Sequence, residues 1–167
     1  MPATRADLLA RLESLGLATE TVDHPPVFTV EEAKAHRGDL SGAHIKNLFL
    51  KDKKGGLWLV VCMEDRRVDM NALSKRLGAP RFSFGKPDLL MEVLGVEPGS
   101  VTPFAVINDG DARVTLVLDE ELLRHDPVNC HPLVNTATTR IGPDALLRFC
   151  RDTGHEPVIS VIDERAG

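Results

Sequence analysis

The chain has 167 residues, of which 43% are apolar, and this is enough to bury one core and argues against a disordered protein. No window approaches the roughly 18 uninterrupted apolar residues that a membrane-spanning helix needs. The net charge of −5, taken alone, argues against a polyanionic partner.

The first predicted element is an amphipathic helix near the N-terminus. Thr4, followed three residues later by Asp7, forms a capping box, and Gly16 ends the helix. The stretch lacks the long apolar centre of a signal peptide, so we expect a cytoplasmic protein. The other elements predicted in this half are a strand at 19–24, a helix at 29–38, hairpin strands near 43–51 and 57–63 joined by DKKGG, a helix at 69–78 and a short strand at 81–84.

The second half begins with a helix that starts at Pro87, followed by a loop at 96–103 with two prolines and a glycine. The remaining predictions are strands at 103–109 and 113–121 that form a hairpin around NDGDA, strands at 128–133 and 137–142, a helix at 143–154 and a strand at 156–162.

Because helices and strands alternate irregularly, a doubly wound parallel sheet is excluded. We predict an α+β fold with a mixed, curved sheet that forms a partial barrel, helices packed outside, and one domain over residues 1–167.

Positive charge is concentrated in one segment of the chain. Residues 46–86 carry ten basic and four acidic side chains, whereas residues 1–45 and 87–167 have net charges of −3 and −8. A basic segment in an acidic protein is typical of a surface that meets nucleic acid. A solvated face without a partner gives the same pattern, so charge alone leaves both readings open.

The hairpin sequence HIKNLFLKDKKGGLWLVVCM places two polar side chains inside an apolar run. Strand residues alternate between faces, so Lys46 shares a face with Leu48 and Leu50, whereas Asn47 lies on the other face. An ammonium at the mouth of a core needs water, an acidic partner or an anionic ligand. A lysine and an amide beside an apolar pocket suit a phosphate or a polarised carbonyl; an edge lysine that prevents aggregation is the alternative.

Two further stretches carry candidate chemistry. In GVEPGSVTPF, the freedom of Gly99 to adopt positive φ favours a close approach of ligand to backbone. The amides of Gly99, Ser100 and Val101 can then form a donor set for a carbonyl or oxyanion, although an ordinary tight loop has the same sequence. In NCHPLVNTATT, His131 lies in a predicted strand, where a structural histidine is the common case. Adjacent strand residues point to opposite faces, so Cys130 and His131 do not form a nucleophile–base pair.

The three cysteines of the chain are widely spaced and match neither a zinc signature nor a redox CxxC pair. We expect Cys62, Cys130 and Cys150 to be buried, reduced thiols.

In this order and spacing, the motifs HIKNLFLKD, PGSVTPFAVIND and HPLVNTATT resemble the YbaK-like and prolyl-tRNA synthetase editing-domain family, the free-standing aminoacyl-tRNA deacylases. The resemblance covers residues 5–163 and is most specific at the lysine strand and the glycine–proline loop. The stretch GAHIKNLFLKDKKGG is most similar to the ProX (ProXp-ala) group, which clears alanine from proline tRNA. It is less similar to the branch that clears cysteine.

The resemblance implies a trans-editing hydrolase that cleaves the ester between a wrong amino acid and the terminal adenosine of tRNA, with Ala-tRNA(Pro) as the favoured substrate. It also implies that the substrate's own ribose hydroxyl replaces a strong protein base. The implied catalytic residues are Lys46, Gly99 and His131; the implied substrate contacts are Asn47, Ser100, Val101, Thr102 and Pro103; the implied tRNA contacts are Lys51, Lys53, Lys54 and Arg81. No cofactor or metal is implied. The expected partners are aminoacylated tRNA, tRNA(Pro) above all, and a synthetase, with no membrane and a monomer or weak dimer.

Three functional alternatives stay open. One is a Cys-tRNA(Pro) deacylase of the same family. Another is a non-catalytic tRNA- or RNA-binding module, in which Lys46 and the GxxxP loop have only structural duties. The third is a hydrolase of another activated acyl compound that uses Cys130 or Lys46 covalently.

Overall fold

The computed structural model describes residues 1–26, 31 and 41–162. The helices are α1 (Arg5–Ser14), α2 (Met70–Arg76), α3 (Pro87–Leu94) and α4 (Pro143–Asp152). The strands are β1 (Thr19–Asp23), β2 (Ala43–Asp52), β3 (Leu57–Met63), β4 (Phe82–Phe84), β5 (Val114–Asp119), β6 (Val128–Cys130), β7 (Ala137–Ile141) and β8 (Val158–Ser160). The helix predicted at 29–38 lies outside the described residues apart from residue 31.

The eight strands of the described residues belong to one mixed sheet in the order β1-β7-β6-β2-β3-β5-β8, with β4 paired to β2 beside this path. Strand β2 pairs antiparallel with β3 and β4 and parallel with β6, while β5 pairs parallel with both β3 and β8. The sheet is curved and does not close, because β1 and β8 stand at its two ends. The predicted α+β class with a mixed partial barrel is therefore confirmed.

The hydrophobic core is divided into two clusters by the central strands. On β2, Phe49 packs into the larger cluster and Leu50 into the smaller one, as the period-two alternation of a strand requires. Helices α1, α3 and α4 bury side chains in the larger cluster, whereas α2 contributes Leu73 to the smaller one. No helix in the described part of the chain is long and apolar enough to cross a membrane.

The strand predicted at 103–109 is wrong, and with it the second hairpin. Residues Pro103–Asn108 form a 3₁₀ helix, which Thr102 caps by accepting a hydrogen bond from the Phe104 amide. Pro103 fits the first helical position, where a missing N–H costs nothing. A short apolar run such as FAVI does not distinguish a strand from a buried helical turn, which is why periodicity failed here.

The sequence signal for the start of α1 was correct, whereas the predicted bounds of the last strand were too wide. The capping box between Thr4 and Asp7 is present at the start of α1. The last strand is shorter than predicted, because β8 covers only Val158–Ser160 of the stretch 156–162.

Asp52 holds the turn between β2 and β3. Its Oδ1 accepts hydrogen bonds from the amides of Lys54 (2.8 Å) and Gly56 (2.9 Å), and its Oδ2 accepts one from Trp58 Nε1 (3.0 Å). The bond from Trp58 is the largest cause that lowers the pKa of the Asp52 carboxyl, with burial opposing it and the two amides adding to it.

We expect Asp52→Asn to lower the free energy of unfolding at neutral pH by about 1–2 kcal/mol. Because the folded pKa is depressed, the contribution of Asp52 is complete above the unfolded pKa of about 3.9 and is lost as the pH falls through the folded pKa. Urea denaturation at neutral pH and near pH 3 measures this difference, with Asp111→Asn in an exposed turn as the control. An equal difference at both pH values would contradict the assignment.

Candidate active site

Lys46 lies on the face of β2 that packs into the smaller core cluster. It pairs across the ladder with buried Cys62, and Leu48 and Leu50 continue its face. The side chain is partly buried, and Nζ donates a hydrogen bond to the backbone carbonyl of Arg66. An ammonium has three donors, so this bond leaves two N–H groups for water or a ligand. The ammonium is held against the protein by this contact.

The surroundings of Lys46 include Arg66, one of the ten basic residues of the segment 46–86, and Asp119, a carboxylate that sequence reasoning missed. Asp119 is 1% exposed, and its Oδ2 accepts hydrogen bonds from the Met63 amide (3.1 Å) and from Arg66 Nε (3.2 Å). Burial raises the pKa of the Cys62 thiol to about 12, and the charge of Lys46 opposes this rise. The available signal for Asp119 was the run LDEE at the end of the predicted strand 113–121, because charged side chains at strand ends often line sites.

Asn47 points away from Lys46, toward the larger core cluster that Phe49 enters. Its Oδ1 is buried and accepts no hydrogen bond from any described residue. A buried acceptor without a donor costs about 1–3 kcal/mol, which marks Asn47 as a candidate acceptor for a ligand N–H.

The glycine–proline loop departs in part from its predicted form. Gly99 lies within a 3₁₀ turn at Pro98–Ser100 and is not among the glycines with positive φ. The Ser100 amide already donates to Glu97 O (2.9 Å), so it is not free to serve an oxyanion. Val101 packs against the larger core cluster.

Thr102 and Pro103, the last two predicted substrate contacts in this loop, are both buried. Thr102 caps the following 3₁₀ helix and Pro103 starts it. Their local role is to fix the shape of the loop.

His131 follows β6 and does not lie in a strand, because β6 ends at Cys130 instead of residue 133. Its Nδ1 lies 3.0 Å from the Ala137 carbonyl, which can only accept, so Nδ1 donates. Burial is the largest cause that lowers the pKa of His131, with the Ala137 bond opposing it. The neutral ring therefore presents Nε2 as an acceptor. The ring of His24, another residue that sequence reasoning missed, lies 6.2 Å away between centroids.

Strand pairing places two of the predicted catalytic residues at corresponding register positions, Lys46 near the start of β2 and His131 just past the end of β6. Parallel pairing of β2 with β6 ends at His44 with Asn129, so Lys46 and His131 each lie two residues past the last pair. The loop at Gly99 is associated with the larger cluster through Val101, and the hydrogen bond that Lys46 makes to the described residues goes to Arg66 and not to this loop.

The predicted tRNA contacts gather at the opposite end of β2. Lys51 pairs with Ser83 of β4, two residues after Arg81, and the turn that follows β2 carries Lys53 and Lys54. All four basic side chains are exposed. The register therefore concentrates positive charge at one edge of the sheet.

The cysteines are buried as predicted. Burial raises the pKa of the Cys130 thiol, so it stays protonated and is a poor nucleophile. Within the described ranges, no three His, Cys, Asp or Glu side chains cluster closely enough to hold a metal ion.

Comparisons with known proteins show the family to which the chain is related. The sequence model of the aminoacyl-tRNA editing domain family matches residues 24–149. Prolyl-tRNA synthetase associated domain-containing protein 1 of Danio rerio is 46% identical over 161 residues, which cover 95% of this chain and 88% of that protein. The prolyl-tRNA editing protein ProX of Acetoanaerobium sticklandii is 33% identical over 149 residues, which cover 89% and 91% of the two chains.

The fold has a close match among solved structures. A crystal structure described as a candidate trans-editing enzyme for prolyl tRNA synthetase superimposes with a TM-score of 0.73 at 24% identity, covering 99% of this chain and all of the other. This likeness supports the fold.

Proposed function

This chain belongs to the aminoacyl-tRNA editing domain family, and on that premise we propose that it is a trans-editing deacylase that hydrolyses Ala-tRNA(Pro). The observation that carries the proposal is Lys46, a partly buried ammonium held by the Arg66 carbonyl with two N–H groups left for a substrate. We propose proline tRNA as the substrate because the ProX relative is named a prolyl-tRNA editing protein.

The proposed chemistry is hydrolysis of the ester between an amino acid and the terminal ribose. Lys46 binds the terminal phosphate or polarises the ester, and the amides of Gly99 and Val101 stabilise the tetrahedral oxyanion. His131 is neutral and accepts through Nε2, so it orients the attacking water or the substrate. The substrate's own free ribose hydroxyl orients the attacking water; as the ester C–O bond breaks, the proton that the water loses passes to the departing ribose oxygen.

Selectivity for alanine over proline is proposed to be steric. Asn47 Oδ1, a buried acceptor without a described donor, would accept from the amino group of the substrate. A missing methylene in an open pocket changes binding by only about 1–3 kcal/mol, so exclusion of the proline ring is the stronger device. Serine and glycine side chains are small enough to enter such a pocket, so their esters would be hydrolysed slowly. Recognition of the tRNA would limit this side reaction.

The tRNA is proposed to bind along the basic edge of β2 and β4. Lys51 and Arg81, with Lys53 and Lys54 in the neighbouring turn, are exposed and meet the acceptor-stem phosphates. Because such contacts release counterions, binding should weaken steeply as salt increases.

The function is tested with one tRNA(Pro) carrying alanyl, cysteinyl, seryl or prolyl esters. We expect the alanyl ester to be hydrolysed at least about 10-fold faster than the others and the prolyl ester to be spared. Faster loss of cysteine would assign the other branch of the family. Binding without hydrolysis of any ester would show a non-catalytic module and reject the deacylase.

A further inference from the structure

Phe84 is an exposed aromatic residue in the short strand β4. Its relative exposure is 66%, and among the residues that the structure describes it is the one exposed phenylalanine or tryptophan. Phe82, two residues earlier on the same face of β4, is buried and packs edge-on against Trp58, with ring centroids 5.4 Å apart. Single exposed apolar residues are common on protein surfaces, so the surroundings of the Phe84 ring decide its role.

The backbone on both sides of this ring is held in place. Phe84 pairs antiparallel with Leu50 of β2, and the amide of Gly85 donates to the Phe49 carbonyl at 2.9 Å. A side chain at position 85 would overlap the ring of Phe49, so this close approach requires glycine. The sheet therefore presents the Phe84 ring from a fixed backbone, which lowers the entropic cost of binding against it.

The segment that contains Phe84 is basic. Between Asp69 and Asp88 the chain carries no acidic side chain and four exposed basic ones, namely Lys75, Arg76, Arg81 and Lys86. Lys51 of β2 is exposed and lies opposite β4 in the strand pairing. The carboxylate of Asp52 is buried and accepts hydrogen bonds from the turn amides and an indole, so it is directed into the hairpin turn. An exposed ring among cations matches a single-stranded nucleic acid, in which bases stack and phosphates meet the cations.

Phe84 lies on the same face of the sheet as Lys46. Directly paired residues of an antiparallel ladder point to one face, and Leu50, the partner of Phe84, shares a face of β2 with Lys46. The four residues from Lys46 to Leu50 span about 14 Å at about 3.4 Å per residue. Leu48, which lies between them on this face, is only partly buried. The ring is therefore a few stacked nucleotides away from the lysine on which the proposed function rests.

The order of these features along β2 suits the 3′ end of a tRNA. Lys46 lies near the start of the strand, the Phe84 ring lies opposite its later part, and the basic turn with Lys53 and Lys54 follows its end. With the ester at Lys46 and the acceptor-stem phosphates at the basic turn, the unpaired nucleotides would pass the ring. Unpaired nucleotides expose base faces on which aromatic side chains stack.

We propose that Phe84 stacks on a base of the unpaired 3′ end of the tRNA and so fixes this strand between the ester and the acceptor stem. This inference rests on the proposed function, because it adds a base contact to the phosphate contacts of the basic edge. Phe84 is a binding residue and takes no part in the chemistry of the ester. Every base has a π face, so the contact is tolerant of sequence.

The first test compares Phe84→Leu with Phe84→Trp in binding of uncharged tRNA(Pro). Leucine keeps an apolar side chain but removes the π face, so we expect it to weaken binding by about 5- to 100-fold. Tryptophan keeps an aromatic face and should leave the affinity within about 2-fold of wild type. The control is Ile159→Ala, an exposed apolar residue of β8 at one end of the sheet, which should change binding by less than about 2-fold.

Salt dependence separates stacking from charge in the same assay. Phe84→Leu removes no charge, so its slope of log affinity against log salt should equal that of wild type, whereas Lys51→Gln should lower the slope by about 0.7–1. Unchanged affinity in Phe84→Leu would overturn the proposal and leave a protein partner as the occupant of the ring. Equal losses in the leucine and tryptophan variants would also overturn it, because the aromatic face would then contribute nothing.

A second test removes bases from the tRNA. An abasic nucleotide replaces, one at a time, each unpaired position before the terminal adenosine. We expect wild-type protein to lose about 5-fold or more in affinity at one of these positions, and Phe84→Leu to lose nothing further there. Additive losses at every position would contradict stacking on Phe84, even if the variant is less stable.

The outcomes separate this inference from the proposed function. Absence of hydrolysis by wild-type protein would reject the deacylase, while binding of uncharged tRNA(Pro) would still report on Phe84. Normal hydrolysis with unchanged tRNA binding in Phe84→Leu would reject the stacking contact alone.

Discussion

Replacing Lys46 with methionine is expected to lower kcat/KM for deacylation of alanyl-tRNA(Pro) by about 100- to 1000-fold. Methionine keeps an apolar stem next to Leu48 and Leu50 and removes only the ammonium. The loss should be large because Lys46 donates to a single described acceptor and its other N–H groups are free for the substrate. Single-turnover deacylation over a range of enzyme concentrations measures it, because the initial slope gives kcat/KM and the plateau gives the rate of the chemical step.

The matched control for this experiment is Lys86→Met. Lys86 is exposed before α3, and its side chain makes no capping hydrogen bond there. We expect this variant to keep its rate within about 2-fold. Both variants should unfold at nearly the wild-type urea midpoint. Full activity in folded Lys46→Met protein would remove Lys46 from the mechanism.

Elements fixed by local chemistry could be predicted from the sequence. The turn DKKGG defines the β2–β3 hairpin because Gly55 takes φ 87 and Asp52 binds the turn amides. Helix α3 follows from Pro87 at its start and Gly95, with φ 65, at its end. In each case the deciding residues lie within a few positions of the element.

Features that depend on distant residues could not be predicted. Asp119 lies 53 residues from Arg66, and only the parallel pairing of β3 with β5 brings it to the β2–β3 hairpin that carries Lys46. Sequence spacing carries no signal for such pairing. The resemblance located Lys46 and His131. The coordinates were needed to find the residues around Lys46 and to show that the buried Oδ1 of Asn47 has no described hydrogen-bond donor.

A buried network of Asp109 and His155 fixes the segment that follows the glycine–proline loop. Asp109 ends the 3₁₀ helix that Pro103 begins, and its Oδ2 lies 2.8 Å from His155 Nε2, with both side chains almost fully buried. Thr153 donates its hydroxyl proton to Cys150 O (2.7 Å), so His155 Nδ1 donates to that hydroxyl at 2.9 Å. The network therefore joins this helix to the end of α4.

We expect Asp109→Ala to lower the free energy of unfolding by about 3–5 kcal/mol, because it strips the acceptor from His155 and from the amides of Arg113 and Val114. Asp109→Asn keeps one acceptor oxygen and should lose less. Urea denaturation followed by circular dichroism measures both, and Asp111→Ala in the exposed turn should stay within about 0.5 kcal/mol of wild type. A loss in Asp109→Ala no larger than in Asp111→Ala would show that the network does not stabilise this part of the fold.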